Sequence, residues 1–494
     1  MNEKIVPANN GYTVQVGTTT LHSRYDPVSE AQKYISSLNL KPYVYFILIE
    51  PGLGYLAGAL KNLFPSSKII SLHCSLFFQK QGSLICNEEL SWDSSNALSL
   101  EYFLEELLGY TEASDIKLIE WKPSINIYGQ ACLDLAARTV ECIRRISAGQ
   151  KTVQNFGRRW LRNALHNLEF NRCDPCAERF EIHPGTSPVL VCAAGPSLED
   201  SFKEITQWKQ SSSPPLIIAV SSSAFALMHQ GIIPDIIITS DGGSWALFHL
   251  IECYRQHTGL IFTQQKLKPF LAAALTSALP SQLKEWPVFF LWDGSLWQKL
   301  LLEAANMTDK TTIPAFPQRG TVSICALDLA FYASSGPVYV SGMDFLHKDI
   351  LTHARPYAFE ALMECSADRR RPRYSQAFER EETISRCGSL SIYKTWLDSH
   401  GNAFPRSFNY LQAGHKAPDI NTNMPDNTFP HFTVKNIEKG KTDKKGLIAA
   451  LLFALNNPLL KEQLSKELGE LLLPSNMIND KQYADTVREA LLEL

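Results

Sequence analysis

The sequence predicts an α/β protein built on parallel sheets, and three observations carry that expectation. Short apolar runs of strand type alternate with helical lengths of amphipathic sequence. Several of those runs end at turns rich in glycine and serine that lead straight into helices. The 494 residues, 45% of them hydrophobic and 20% charged, suit two or three folded domains and argue against a long disordered chain.

The elements follow in order. The aromatic and β-branched run that begins from Lys41 stops at the closely spaced glycines Gly52 and Gly54, a pattern of strand, tight turn and helix. A second run, Lys68 to His73, comes one helical length later, as in a βαβ unit. Gly52 and Gly54 are followed by Gly58, so the dinucleotide pattern GxGxxG lacks its last glycine at the expected place. Close packing at the turn is the expectation there, ahead of a cofactor. From Gly149 to Leu168, the positions of Phe156, Trp160, Leu161, Leu165 and Leu168 among Arg158, Arg159, Arg162 and Asn163 set an apolar stripe beside a basic one on a single helix. Asn171 to Pro188 reads as a connection.

Val189 to Ala193 is a buried-type strand that turns through Gly195-Pro196-Ser197-Leu198 into a helix, with Ser197 as N-cap and Asp200 as its capping partner. Pro215 to Val220 gives a second strand, Ala224 to Gln230 a helix, and Ile236 to Thr239 a third strand that ends at Ser240 and Asp241. That order implies a parallel sheet with its loops gathered at the carboxyl edge. Gly259 to Thr263, Val288 to Leu291 and Gly336 to Asp344 add strand-like runs, the last preceded by a helix from Ser323 to Tyr332. Between Asp368 and Glu382 charge is dense and apolar content falls, the pattern of a mobile loop or lid. A polar linker follows Asn421, and Glu438 to Leu494 is mainly helical by pattern. The expected domains are therefore 1–148, an N-terminal α/β domain; 149–420, a central domain; and 421–494, a helical C-terminal domain.

Composition narrows function. Lys plus Arg number 47 and Asp plus Glu 50, a formal charge of -3, so no global field attracts nucleic acid. No uninterrupted apolar run reaches the roughly 20 residues that span a bilayer, and no basic segment followed by an apolar one opens the chain. A cytoplasmic protein without membrane insertion is expected. Eleven cysteines are too dilute for a disulfide scaffold, and the odd number favours reduced thiols. Cys173 and Cys176 form a CxxC with no second pair to complete a structural zinc site.

In parallel sheets, ligands sit beyond the carboxyl ends of the strands. Four candidate ends are polar there: Gly195-Pro196-Ser197, Ser221-Ser222-Ser223, Ser240-Asp241-Gly242-Gly243, and Gly342-Met343-Asp344 followed by His353. The first can offer backbone N–H groups and a hydroxyl to a phosphate, although a capped tight turn explains it as simply. Asp241 can hold a ribose hydroxyl or Mg²⁺, whereas Asp235, at the opposite end of its strand, reads as a structural cap. His347, Thr352, His353 and Arg355 crowd the loop after Asp344; the histidine can take a proton and the arginine can neutralise a phosphate, with His347 as the alternative to His353. A zinc site of Asp344, His347 and His353 matches no specific spacing. Arg319-Gly320-Thr321 leads into a helix whose start can face a sugar or phosphate or be a plain cap. Tyr393, Trp396, Phe408 and Tyr410 can line an acceptor site or fill a core. No Walker GxxxxGK[ST] occurs.

Taken together, Gly195-Pro196-Ser197-Leu198, Gly231-Ile232-Ile233-Pro234-Asp235 with Asp241, and Gly342-Met343-Asp344 with His353 resemble the motility-associated factor (Maf) family of flagellin glycosyltransferases. Leu21-His22-Ser23-Arg24-Tyr25-Asp26-Pro27, Glu30-Ala31 and the Asn163 to Asn167 helix are similar to further features of that family, and the likeness extends from Leu21 to Lys416. The resemblance implies a Rossmann-like central sheet similar to bacterial sialyltransferases, in a cytoplasmic enzyme that transfers pseudaminic or legionaminic acid from a CMP-nonulosonic acid donor to Ser or Thr of flagellin. It implies that Gly195, Pro196 and Ser197 form part of a nucleotide pocket, with Asp241 near the donor and Asp344 and His353 near the reacting centre; the polar strand ends and helix start add Ser221, Gly320, Thr321 and Gly342 as binding candidates, and Arg355 or Arg319 is the candidate stabiliser of the leaving phosphate. No tightly bound cofactor is expected, and metal is optional because CMP leaves readily. A related central module occurs in archaeal 6-hydroxymethylpterin diphosphokinases, so an ATP- and magnesium-dependent kinase with Asp235, Asp241 and Asp344 as metal ligands is the alternative. A non-catalytic flagellar assembly or chaperone protein is the second alternative. Whether the flanking domains grip flagellin, form a homo-oligomer, or do both is left open.

Overall fold

The computed structural model of the chain describes residues 3–78, 90–109, 111–173, 178–261, 269–280, 283, 286–305, 315–317, 319–387, 389–399, 404–411, 428–436, 443–473 and 483–494. It divides into two compact units, Met1–Asn155 and Phe156–Leu494. No described helix is long and apolar enough to cross a membrane.

The first unit holds two sheets. β1 (Glu3–Ala8), β2 (Gly11–Val16) and β3 (Thr19–Thr20) form an antiparallel three-stranded sheet. β4 (Tyr45–Ile49), β5 (Lys68–Leu72), β6 (Leu90–Trp92) and β7 (Ile116–Glu120) form a parallel sheet in the order β6-β5-β4-β7. Every residue of β4 is buried, which is why its run is continuously apolar. The turn after it is filled by protein: a Cβ on Gly52 would lie 2.5 Å from His22 Nε2, and that nitrogen accepts from Leu53 N at 3.1 Å. The carboxylate of fully buried Glu50 accepts from the amides of Cys74 and Ser75 at 2.8 and 3.1 Å and meets His73 Nδ1 at 2.9 Å.

The second unit is organised by one nine-stranded sheet. Its strands are β8 (Glu178–His183), β9 (Val189–Cys192), β10 (Leu216–Val220), β11 (Ile236–Thr239), β12 (Phe270–Ala274), β13 (Val288–Leu291), β14 (Val338–Ser341), β15 (Phe408–Tyr410) and β16 (His431–Asn436). They lie in the order β15-β14-β9-β10-β11-β12-β13-β8-β16, and all neighbours are parallel except β16, which runs antiparallel to β8. The chain is thus α/β and Rossmann-like. From β9 it steps outward through β10 and β11, then returns to place β14 on the other side of β9, and such a reversal of strand order opens a crevice at the carboxyl edge. The helix Val322–Ala333, with seven of its twelve residues buried, packs on β9, β10 and β11.

Several sequence expectations are corrected. The Asn171–Pro188 connection contains β8. Gly259, Leu260 and Ile261 end the helix Ala246–Ile261, while Phe262 and Thr263 lie outside the described residues; the strand comes later, as β12. The charged segment Asp368–Glu382 is largely helix, Arg373–Cys387. Helices Lys444–Ala454, Lys461–Leu472 and Tyr483–Leu492 fall in the same unit as the central sheet, and the boundary expected after residue 148 falls at 155. Cys173 closes the helix Gln130–Cys173, and Cys176 lies outside the described residues.

Candidate functional site

The turns at the carboxyl ends of β9 and β14 are tied together. Gly195 N donates to Gly342 O at 2.7 Å, Ser197 N donates to Asp344 Oδ2 at 2.8 Å, and the Ser197 hydroxyl donates to Asp344 Oδ1. A Cβ on Gly195 would lie 2.5 Å from Asp344 Oδ2 and 2.6 Å from Gly342 O, so glycine is what admits this approach. Gly342 itself has φ +71°, and its Cβ would meet Ala193 O at 2.4 Å. Ser197 therefore turns to Asp344 rather than making the capping pair expected with Asp200.

Beside this lock, a cleft of about 700 Å³ opens over β10 and β11. Ser221 and Ser222, at the start of the helix Ser221–His229, form one side with Asp241, which follows β11, and Val322, which opens the helix that precedes β14. The opposite side comes from His353, Tyr357, Phe359, Leu362, Met363 and the helix carrying Gln376 and Arg380, with Trp245 and His249 joining from the helix region after Asp241. Ser221, Asp241 and His353 thus line one cavity, whereas Ser197, expected to share it with Asp241 and His353, does not. Gly195, Pro196, Ser197, Gly320, Thr321, Gly342, Asp344 and Arg355 are not among its lining residues.

Those residues have other partners. Thr321 caps its helix by accepting from Ser323 N at 3.4 Å, and a Cβ on Gly320 would stand 3.0 Å from Tyr393 Cε1. The Arg355 amide and Nε both donate to Glu199 Oε1, at 2.9 and 3.5 Å, while Ala354 N donates to Ala194 O at 2.8 Å. These bonds pin the loop just after His353 to the turn and helix that follow β9. Arg319 forms a two-pronged pair with Asp328 and lies over the rings of Trp396 and Phe404, so those aromatics belong to a packed cluster. His347 pairs with Glu381 at 2.9 Å, outside the cleft lining. Asp235 accepts from Ile217 N at 2.8 Å, the structural role its place on the strand implied. No cluster of three or more His, Cys, Asp or Glu able to hold a metal occurs among the described residues.

The loop after β11 is held from beneath by one helix. Asn163 Nδ2 donates to Gly242 O and Thr276 O at 3.0 and 2.9 Å, and Asn167 Nδ2 to Leu275 O and Ser277 O, each at 2.9 Å. A Cβ on Gly242 would lie 2.4 Å from Trp160 Cδ1. Asp241 Oδ1 accepts from Gly243 N at 2.7 Å, leaving its carboxylate exposed toward the cavity.

The far wall is aromatic and carries two arginines, Arg371, which pairs with Glu379, and Arg380. Tyr357 stacks on His353 with ring centroids 4.4 Å apart, and His249 lies 5.0 Å from Phe359. The Arg380 guanidinium sits over the rings of Tyr357 and Phe359 at 5.0 and 5.2 Å and donates through Nη2 to the Tyr357 hydroxyl. Burial, followed by the Arg380 charge, pushes His353 down to about 3 and His249 to about 4. Burial pushes the Tyr357 phenol up to about 12, with Arg380 opposing it. At neutral pH both imidazoles are therefore uncharged, and His353 Nδ1 lies 2.9 Å from Thr352 Oγ1. Arg380, Tyr357, Phe359 and His249 escape the sequence reading. Gln376 and Arg380, four apart on one helical face, were the signal available.

Residues 162–349 match the family model described as 6-hydroxymethylpterin diphosphokinase MptE-like. Two uncharacterized proteins of Treponema pallidum (strain Nichols) are similar: one is 25% identical over 357 residues, covering 71% of this chain and 70% of that protein. The other is 21% identical over 366 residues, covering 71% of this chain and 60% of its own length. Among solved structures, the Maf glycosyltransferase from Magnetospirillum magneticum AMB-1 aligns over 99% of this chain and 86% of its own, with a TM-score of 0.53 and 11% identity. The chain thus carries an MptE-like domain and shares the fold of a Maf glycosyltransferase. The matched stretch supplies Ser221, Asp241 and Val322 but ends before His353, Tyr357 and Arg380.

Proposed function

We propose that this chain is a glycosyltransferase that moves a nonulosonic acid, of the pseudaminic or legionaminic type, from its CMP-activated form to a Ser or Thr hydroxyl of flagellin. The observation that carries the reading is the two-sided cleft at the sheet's carboxyl edge, polar on the strand-end side and aromatic with a half-buried cation on the other. Its volume of about 700 Å³ is that of a site for a nucleotide-sized ligand. Serine hydroxyls and the start of the Ser221–His229 helix suit a phosphate, and Asp241 suits a ribose hydroxyl. The aromatic wall suits a sugar bearing apolar substituents.

In the reaction, the acceptor oxygen attacks the anomeric carbon, the bond from that carbon to the CMP phosphate oxygen breaks with its electron pair leaving on CMP, and configuration inverts. The hydroxyl proton passes to a base. His353 is the group placed for this: it is uncharged, lines the cavity, and is followed directly by two residues bonded to the turn and helix after β9. Burial is the first cause of its low basicity and the Arg380 charge the second, and an anion bound at Arg380 would offset the second. Asp344 and Arg355 serve this site by holding its turns rather than by touching the reacting atoms.

The match over residues 162–349 favours a second reading, diphosphoryl transfer from ATP to a pterin alcohol. That chemistry uses magnesium bridging the phosphates. Of the three aspartates the sequence offered for it, Asp235 stands at the opposite end of β11 from Asp241, and Asp344 is engaged by Ser197. A melting experiment separates the readings. CMP is expected to raise the melting temperature and ATP with magnesium to leave it unchanged; the reverse preference establishes the kinase. Intact-mass analysis of flagellin coexpressed with this protein and a complete nonulosonic-acid pathway then reads the transfer as a mass increment that needs the protein.

A further inference from the structure

The arginines around the cleft are matched with carboxylates: Arg319 with Asp328, Arg355 with Glu199, Arg371 with Glu379, and Arg373 with Glu360 and Glu364. Arg380 is not. Its guanidinium reaches the Tyr357 hydroxyl and two aromatic faces, and no described carboxylate pairs with it. Its Nε is buried and has no hydrogen-bond partner. Arg380 is half-buried and lines the cleft, so the part of its guanidinium that faces the cavity is a cation without a carboxylate partner, which an anion bound there would complete.

We propose that Arg380 anchors the carboxylate of the acidic sugar and so selects donors that carry one. The proposal deepens the glycosyltransferase reading and rests on it. The anion is assigned to the sugar rather than to the nucleotide because the two sides of the cleft differ in kind. Hydroxyls and helix-start amides at Ser221 and Ser222 lie on the sheet side, where a phosphate is served without a cation. Arg380 projects from the helix Arg373–Cys387, outside the sheet, beside Phe359, Leu362 and Met363. That wall offers a planar fork within apolar surroundings, the arrangement that binds a carboxylate by two parallel hydrogen bonds. Within the lining the one carboxylate is Asp241, which follows β11 on the other side, so nothing on the Arg380 wall competes for the fork.

Calorimetric titration of the full chain tests this with three ligands: CMP, the CMP-sugar that wild type binds (pseudaminic or legionaminic), and the carboxyl methyl ester of that CMP-sugar. Wild type is expected to bind the CMP-sugar about tenfold or more tightly than its ester, the scale of a charge-assisted bidentate contact. R380M is expected to lose that preference while its affinity for CMP changes less than about threefold, a change too small for a lost phosphate contact. Equal weakening of CMP and CMP-sugar in R380M would move the anion to the phosphate and overturn the assignment. Unchanged binding of all three ligands would make Arg380 a brace for Tyr357. Should R380M fail to fold, the ester on wild type still decides, because an ester that binds as well as the acid removes the carboxylate contact. A wild type that binds neither CMP nor any CMP-sugar sinks the glycosyltransferase reading itself, a result distinct from a donor that binds without regard to residue 380.

Discussion

Single residues in this molecule are tuned more by burial than by neighbours of opposite charge. Burial keeps His22, His249 and His353 neutral, at about 3, 4 and 3 against an ordinary 6.5. His22 needs that neutrality, since its Nε2 accepts from Leu53 N and a protonated ring would lose the acceptor. The sign of the pH effect follows. Between 6.5 and these lowered values the unfolded chain binds protons that the folded chain refuses, so stability present above about pH 6.5 drains away as pH falls toward 3–4. Each such histidine contributes a slope of up to about 1.4 kcal/mol per pH unit. Urea unfolding at pH 7.5, 6.0 and 5.0 is expected to show stability falling from about pH 6.5 downward, before the carboxylates titrate, and H353Q is expected to flatten the slope. A stability that is level from pH 7.5 to 5.0 would show that these rings are charged or hydrated in the folded protein.

At the scale of elements, what the sequence disclosed and what it hid have physical reasons. β9, β10, β11 and β14 were legible because strands buried on both faces read as continuous apolar runs, and Gly195 and Gly342 marked turns where two backbones approach closely. The run at Gly259 misled because four or five apolar residues fit a helix end as well as a strand. The helix Arg373–Cys387 was hidden by its charge, since its stability comes from ion pairs and one aromatic contact face rather than an apolar stripe. Pairing at long range was not legible at all: nothing local says that Asp344 belongs to Ser197, or that Arg380 faces His353. The helix under the cleft illustrates the same point. Asn167 reads as an ordinary polar position, yet it is 3% exposed and satisfies two carbonyl groups in the loop after β12. N167A is expected to cost about 1–3 kcal/mol, because both carbonyls stay buried without their donor. N163A, which releases Gly242 beside Asp241, is expected to weaken CMP binding more than it lowers stability, and the two variants compared by melting with and without CMP check both statements.

At the scale of the whole chain, the question is what the last fifty residues do. Their composition suggests an appendage, but their contacts make them part of the second unit's core. Glu467 accepts from Leu296 N and Trp297 N at 3.2 and 3.0 Å, placing a carboxylate at the start of the helix Leu296–Ala304. Helices Lys444–Ala454 and Lys461–Leu472 pack on that same helix, with Leu447, Leu451, Leu464 and Leu468 buried. Leu471 approaches the backbone so closely at Gly157 that a Cβ there would lie 2.5 Å from its carbonyl oxygen. Gly157 sits about one turn before Trp160 and on the same helix as Asn163 and Asn167, the helix that supports the loop after β11. The C-terminal helices therefore press on the element that fixes Asp241, although none of their residues lines the cleft. Two variants test this chain of contacts. Truncation after residue 442 is expected to lower the melting temperature by several degrees or to leave the second unit insoluble, through exposure of those leucines. G157L, which keeps the whole sequence, is expected to reduce both stability and CMP affinity, by forcing the helix at Leu471 away and carrying the strain to Trp160. Retention of full stability and CMP binding in both would make the C-terminal helices an independent appendage.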